Sequence, residues 1–217
     1  TLARMRDDGL ENVRGERAMV RHWERGAESG ELIAPRRKPL ALLGLGGSVG
    51  TPAAGITAPV VVVTSFDDLT KRGAAVKGKI VLFDVPFTEY KATRVYRTGA
   101  ASAAAKQGAV AALIRSVASF SINSPHTGNM RYDSTVAARI PAAALAVEDA
   151  MLLHRMQDRG RPVTMKLVMG ARNLPDAPSR NVVAELRGRE KPDEVVVIGG
   201  HIDSWDVGQG AMDDAGG

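Results

Sequence analysis

Val195-Val196-Val197-Ile198-Gly199-Gly200-His201-Ile202-Asp203-Ser204-Trp205-Asp206-Val207-Gly208-Gln209-Gly210-Ala211-Met212-Asp213-Asp214 is the stretch on which the fold turns. Four β-branched residues after the Pro192-Asp193 turn predict a short strand buried on both faces, of the kind found inside parallel sheets. His201 stands where that strand ends. In open α/β sheets the carboxyl ends of strands are where ligands bind, so His201, Asp203 and the later aspartates emerge at the edge that carries chemistry. Gly208 and Gly210 free the intervening loop to take backbone angles closed to other residues, which lets Asp213 swing back toward His201. Imidazole and carboxylate together are a zinc donor set. Taken singly, a strand-end histidine or an Asp-Gly turn is an ordinary solvated feature. It is the joint spacing that points to metal binding.

Gly199-Gly200-His201-Ile202-Asp203-Ser204-Trp205-Asp206, followed by Gly208-Gln209-Gly210-Ala211-Met212-Asp213-Asp214, closely resembles the dizinc peptidase family M28. The resemblance implies that His201 binds one zinc ion, that Asp203 orients it, and that Asp213 bridges two zinc ions. It also implies a cis peptide between Asp213 and Asp214. Two zinc ions about 3.5 Å apart would activate a water and polarise a peptide carbonyl, and the resemblance implies short peptides or dipeptides as substrates. The family's general base is the first of two consecutive glutamates further downstream, and no Glu-Glu pair occurs in this sequence. Two metals need more donors than His201 and Asp213, so this stretch is expected to carry only the first part of a site.

A length of 217 residues with 44% hydrophobic content suffices for a substantial core. Aromatics are only 4%, which argues against a stacking surface for single-stranded nucleic acid. The net charge of +5 is scattered, and Pro35-Arg36-Arg37-Lys38 reads as a solvated loop rather than a phosphate track, so no nucleic-acid partner is expected. No apolar run reaches the roughly 18 residues of a membrane span, and nothing at Thr1 reads as a signal peptide. With no cysteine, disulfides and thiol catalysis are excluded.

Upstream of the metal motif the pattern changes twice. Residues 1–49 are assigned to the N-terminal part of a peptidase core, with an amphipathic start at Leu2, an extended stretch from Glu11 and a strand from Leu40 to Leu45. Gly46-Gly47-Ser48-Val49-Gly50 formally satisfies the G-x-S-x-G nucleophile elbow and supports a rival serine hydrolase centred on Ser48. Against it, no helix pattern follows the serine, as the oxyanion hole of that class requires.

Residues 50–175 alternate short strands and helices. Val60-Val61-Val62-Val63 and Lys79-Ile80-Val81-Leu82-Phe83-Asp84 are strands, and Ser65 with Asp68 caps a short helix. Residues 100–106 are helical and end at Gly108, before a buried strand at Ala109-Val110-Ala111-Ala112-Leu113-Ile114. A third helix begins at Val147, with Val147, Met151 and Met156 on one face, and Val163, Met165, Leu167 and Met169 alternate as a half-buried strand.

This order of elements resembles the protease-associated domain, which in family M28 is inserted into the peptidase domain over its active-site cleft. Residues 176–217 then return to the core, through a Pro175-to-Pro178 linker and a strand bearing Val182, Ala184 and Leu186. The fold expected is therefore α/β: part of a mixed-sheet zinc exopeptidase core plus an inserted α+β domain. The long polar loop 116–138 is functional by its length, and His126 at its middle is the candidate substrate contact. His154, on a helix between Leu153 and Arg155, reads as structural or solvated. A noncatalytic binding module remains the alternative to the peptidase. The resemblance further implies a homodimer and a secreted or periplasmic location.

Overall fold

The structure, a computed structural model, describes residues 1–214. The chain forms two compact units, one of Thr1–Arg21 with Pro175–Gly217 and the other of His22–Leu174. Strands β1 (Glu11–Glu24) and β10 (Arg172–Glu185) pair as a two-stranded sheet, and the chain passes between the units along them.

In the first unit, helix α1 (Leu2–Asp7) buries no residue. Glu185 at the end of β10 accepts hydrogen bonds from Asn12 (2.7 Å) and Arg14 (3.2 Å) of β1. The expected Pro175-to-Pro178 linker lies inside β10, since a two-stranded sheet leaves each strand an open edge on which proline forfeits no ladder bond. Leu186, expected on a buried strand face, lies beyond β10 and is 82% exposed. Val195 through Ile198 form no strand among the described residues, and their exposures run from 82% to 91%. A strand buried on both faces needs a ladder neighbour at each edge, and none of the described elements pairs with this tetrad.

The second unit is one eight-stranded mixed sheet with helices against it. Its strands are β2 (Glu28–Ala34), β3 (Lys38–Leu40), β4 (Leu42–Gly44), β5 (Ile56–Val63), β6 (Ile80–Phe83), β7 (Ala111–Arg115), β8 (Ala142–Leu145) and β9 (Thr164–Met169), in the order β3-β2-β9-β5-β6-β7-β8-β4. The run β5-β6-β7-β8 is parallel and the remaining pairs are antiparallel. The expected strand from Leu40 to Leu45 is broken at Ala41, and its halves pair at opposite ends of the sheet. One residue spans the two ends, so the sheet must curl until its edges meet. The Gly44 amide donates to the Glu28 carboxylate (3.0 Å) across that junction. Closure of this kind leaves little open edge for another chain to pair with.

Alternation within the buried strands feeds two cores. Val63, Val81, Phe83, Ala112, Ile114 and Ala144 face helices α2 (Phe66–Arg72) and α3 (Tyr90–Lys106) through Leu69, Ala100, Ala101 and Ala104. On the opposite face Val62, Ile80, Leu82, Leu113 and Leu145 pack against Ala150 and Leu153 of α4 (Val147–Asp158). Helix α2 starts as expected, with the Asp68 amide donating to Ser65 Oγ (3.0 Å). Helix α3 begins ten residues before the alanine-rich stretch, where the Glu89 side chain caps it by accepting from the Ala92 amide (2.8 Å). The buried face of α4 is Val147, Ala150 and Leu153, whereas Met151 is 39% exposed. The face expected through Met151 is thus rotated, since Ala150 and Leu153 are the helix residues packed in the core against the sheet. Residues 22–49, expected with the peptidase core, supply β2, β3 and β4 to this unit.

Candidate active site

The first unit brings His201 and Asp213 together. Gly210 takes a positive φ of 66°, the left-handed region that glycine enters freely, and turns the chain back toward the histidine. Gly208 has no positive φ, so the reversal rests on Gly210. His201 Nε2 lies 2.9 Å from Asp213 Oδ1. On the other side of the ring, Nδ1 lies 2.9 Å from the Asp203 backbone carbonyl and 3.5 Å from the Asp203 carboxylate. The closer orienting partner is thus the main chain of Asp203 rather than its side chain.

Asp214, which sequence reasoning left without a role, accepts the His201 amide proton on Oδ2 (3.1 Å). Gly200 makes room for it, since a Cβ there would come within 2.7 Å of Asp214 Oδ2. The only signal in the sequence was the Asp-Asp doublet itself. The Asp213-Asp214 peptide is cis.

With Nδ1–H given to a carbonyl, the His201 Nε2 lone pair faces a carboxylate oxygen. Two acceptors at 2.9 Å are held together only by a cation between or upon them. A proton on the ring meets that need, and His201's pKa is raised, first by the hydrogen bond to the Asp203 carbonyl, then by Asp213, Asp214 and Asp203. A divalent ion meets it equally, with a fixed tautomer behind an exposed nitrogen and a carboxylate alongside. The residues present therefore fit zinc as two donors. Among the described residues no group of three or more metal-ligating side chains forms.

In the second unit Ser48 is fully buried. Its hydroxyl donates to the Val49 carbonyl (2.9 Å) and accepts from the Ala142 amide (2.8 Å). Among the described residues no histidine contacts it, and the next element after the turn is strand β5 rather than a helix, so Ser48 is a pin between the turn and β8 rather than a nucleophile. His126 lies at the surface of the 116–138 loop. Its amide donates to Ser116 Oγ (2.9 Å) and its Nδ1 lies 3.4 Å from Arg97 Nη1. His154 is more than solvated: its Nδ1 lies 2.7 Å from the buried Asp84 carboxylate, which also accepts from Arg115 (3.3 Å).

Residues 181–217 match the profile of peptidase family M28, and residues 48–153 match that of the PA domain. The chain belongs to peptidase family M28, with a PA domain carried inside it. Within that family its kinship is to the carboxypeptidase Q branch. It is 54% identical over 213 residues to carboxypeptidase Q of Bos taurus, a match covering 98% of this chain and 45% of the relative.

A peptidase M28 precursor from Shewanella amazonensis SB2B superposes with a TM-score of 0.92 at 37% identity, over 98% of this chain and 50% of that one. A zinc aminopeptidase from Bacillus subtilis shares the fold, with a TM-score of 0.54 at 19% identity over 87% of this chain and 40% of that one. The chain thus spans about half the length of the relatives it matches.

Proposed function

We propose that this chain is part of a zinc-dependent exopeptidase that hydrolyses short peptides or dipeptides. The observation that carries the reading is the 2.9 Å approach of His201 Nε2 to Asp213 Oδ1, with Nδ1 already committed to Asp203. In this proposal His201 and Asp213 would hold the metal, Asp203 orients the imidazole and His126 contacts substrate. Residues 1–49 and 176–217 belong, in this proposal, to the peptidase core and 50–175 to the insert, although residues 22–49 pack within the His22–Leu174 unit. A homodimer outside the cytoplasm, secreted or periplasmic, is part of the same proposal, by kinship with the family.

When bound, the metal pair would polarise the scissile carbonyl and lower the pKa of a coordinated water. This chain's own residues prepare the place for it. The Asp203 carbonyl fixes which imidazole nitrogen faces the site, and the Asp214 carboxylate, by accepting from the His201 amide, ties the His201 main chain to the far end of the loop. Asp213 carries negative charge to the same point from the far end of the loop. The remaining donors and the general base belong, in this proposal, to sequence the relatives carry beyond the matched half.

The test is metal stoichiometry in a full-length protein carrying this chain. Asp213→Asn and His201→Ala are each expected to cut bound zinc and lower dipeptide hydrolysis by at least about 100-fold, as expected when a ligand group is lost from a catalytic site. Wild-type zinc content in both variants would sink the assignment. The noncatalytic alternative builds on the lack of a third donor among the described residues. It requires that chelator leave peptide binding intact and that no hydrolysis occur before chelation.

A further inference from the structure

One face of α3 carries a glycine that the fold does not require. Gly99 lies in the middle of the helix without a positive φ, and a Cβ placed on it would meet only Phe66 Cζ, at 3.6 Å, outside its own helix backbone. That is an ordinary contact, so alanine would fit, and glycine in a helix interior is destabilising relative to alanine. What the missing side chain leaves is space. Gly99 and, one turn on, Ala103 floor a groove of about 450 Å³ that is open to solvent and lies between Phe66 of α2 and Tyr132 of the 116–138 loop.

The polar side chains along this groove are engaged within the protein, with one exception. Thr98 Oγ1 donates to the Val95 carbonyl of its own helix (3.2 Å), and Ser102 Oγ accepts from the Asp133 amide (2.8 Å). Lys106 pairs with the Asp133 carboxylate (2.9 Å), and the Tyr132 hydroxyl donates to the Ile140 carbonyl (2.7 Å). Arg131 also lines the groove, is exposed, and has no carboxylate partner among the described residues. Arg139, equally without one, lies over the Tyr132 ring at 5.6 Å. An apolar floor with aromatic walls thus stands beside two cations that lack counter-charges, and the complementary chemistry is an apolar side chain next to a carboxylate. Small ligands are held by burying most of their surface in a cavity. A groove open to solvent suits a segment that its own protein holds in place. We propose that this groove docks an acidic segment of a partner protein, with an apolar side chain over Gly99 and Ala103 and an aspartate or glutamate against Arg131. The surface lies wholly within the His22–Leu174 unit and goes beyond the metal assignment without depending on it.

The experiment uses a full-length protein carrying this chain, with isotope-labelled alanine methyl groups read by NMR. The probe is the peptide acetyl-Glu-Leu-Phe-Glu-amide, blocked at both ends so that an exopeptidase has no terminus to attack. The Ala103 methyl signal should shift and saturate at millimolar peptide. Arg131→Gln should weaken binding about fivefold, as loss of a well-formed exposed ion pair would, and replacing both peptide glutamates by glutamine should weaken it as much. High salt should do the same. Arg131→Glu should reverse the preference, toward a peptide with lysine in place of glutamate. Gly99→Leu fills the floor and should remove the shift, and the exposed Arg131 variants carry the test should that change disturb α3.

A silent Ala103 signal, equal affinity for the glutamate and glutamine peptides, or binding undiminished in a folded Gly99→Leu protein overturns the proposal. So does an Ala103 shift that grows with protein concentration alone, which would give the groove to a second copy of the chain. Saturation by acetylglutamate amide as readily as by the peptide would make it a small-molecule site and overturn the docking. Each of these failures is separable from that of the metal assignment, which is read by zinc content.

Discussion

Ser48 shows how the surroundings of one residue decide between two chemistries. Its hydroxyl answers a buried amide and a carbonyl, and replacing it by alanine leaves the Ala142 N–H without an acceptor. Ser48→Ala should therefore cost about 1–3 kcal/mol in urea unfolding while activity per folded molecule is unchanged. A serine hydrolase would show the reverse, intact stability and no activity.

Asp133 gives a second test at this scale. Its carboxylate accepts from the Thr135 amide (2.9 Å) and hydroxyl (2.7 Å) and pairs with Lys106 (2.9 Å), which lowers its pKa to about 2. A folded pKa below the unfolded one gives stability that is complete above the ordinary carboxylate range and lost as pH falls toward about 2. Urea midpoints measured down that range should fall more steeply for wild type than for Asp133→Asn, which begins lower and has no proton to gain. Parallel curves would mean that the bonds to Thr135 do not persist in solution.

At the scale of elements, legibility followed how local the decisive contact was. Lys79 to Asp84 reads as a strand because its four central residues are apolar, and those four, Ile80 through Phe83, form the strand, buried on both faces. Leu40 to Leu45 has the same texture but is two strands, since what breaks it at Ala41 is closure of a sheet whose other members are far away in sequence. The loop 116–138 reads as polar and long, yet it is pinned along its length. The Met130 amide donates to the Gly46 carbonyl, the Gly46 amide donates to the Gly128 carbonyl, and the Asp133 amide donates to Ser102 Oγ. Nothing near Arg97 in the sequence announces its burial, because the loop that buries it arrives some thirty residues later.

Helix α4 tests the rotated face directly. Leu153→Ala is expected to cost about 2–5 kcal/mol, and Met151→Ala less than about 0.5 kcal/mol, by calorimetric or denaturant unfolding. The opposite order would restore the face drawn through Met151.

Over the whole molecule, the two units differ in what the chain itself can satisfy. The His22–Leu174 unit closes its sheet and fills both faces, so its fold is complete in contacts the chain supplies. The other unit holds a histidine and an aspartate at bonding distance, yet leaves Val195 through Ile198 with most of their surface in water. The residues of the metal motif were legible because twelve positions and one turning glycine suffice to join them. The strand was misplaced because a strand is a property of its neighbours, not of its own residues.

If the tetrad is a peptidase strand, its amide hydrogens should report the difference. In the 217-residue chain the amides of 195–198 are expected to exchange at nearly the unprotected rate, while those of Ile80–Phe83 stay protected. In a full-length protein of carboxypeptidase Q length, the same four amides should become protected by at least about 1000-fold, since a central ladder opens only with the global unfolding of its domain. Fast exchange there as well would mean that no sheet receives the tetrad, and the placement of His201 at a strand end would have to be abandoned even if zinc is bound.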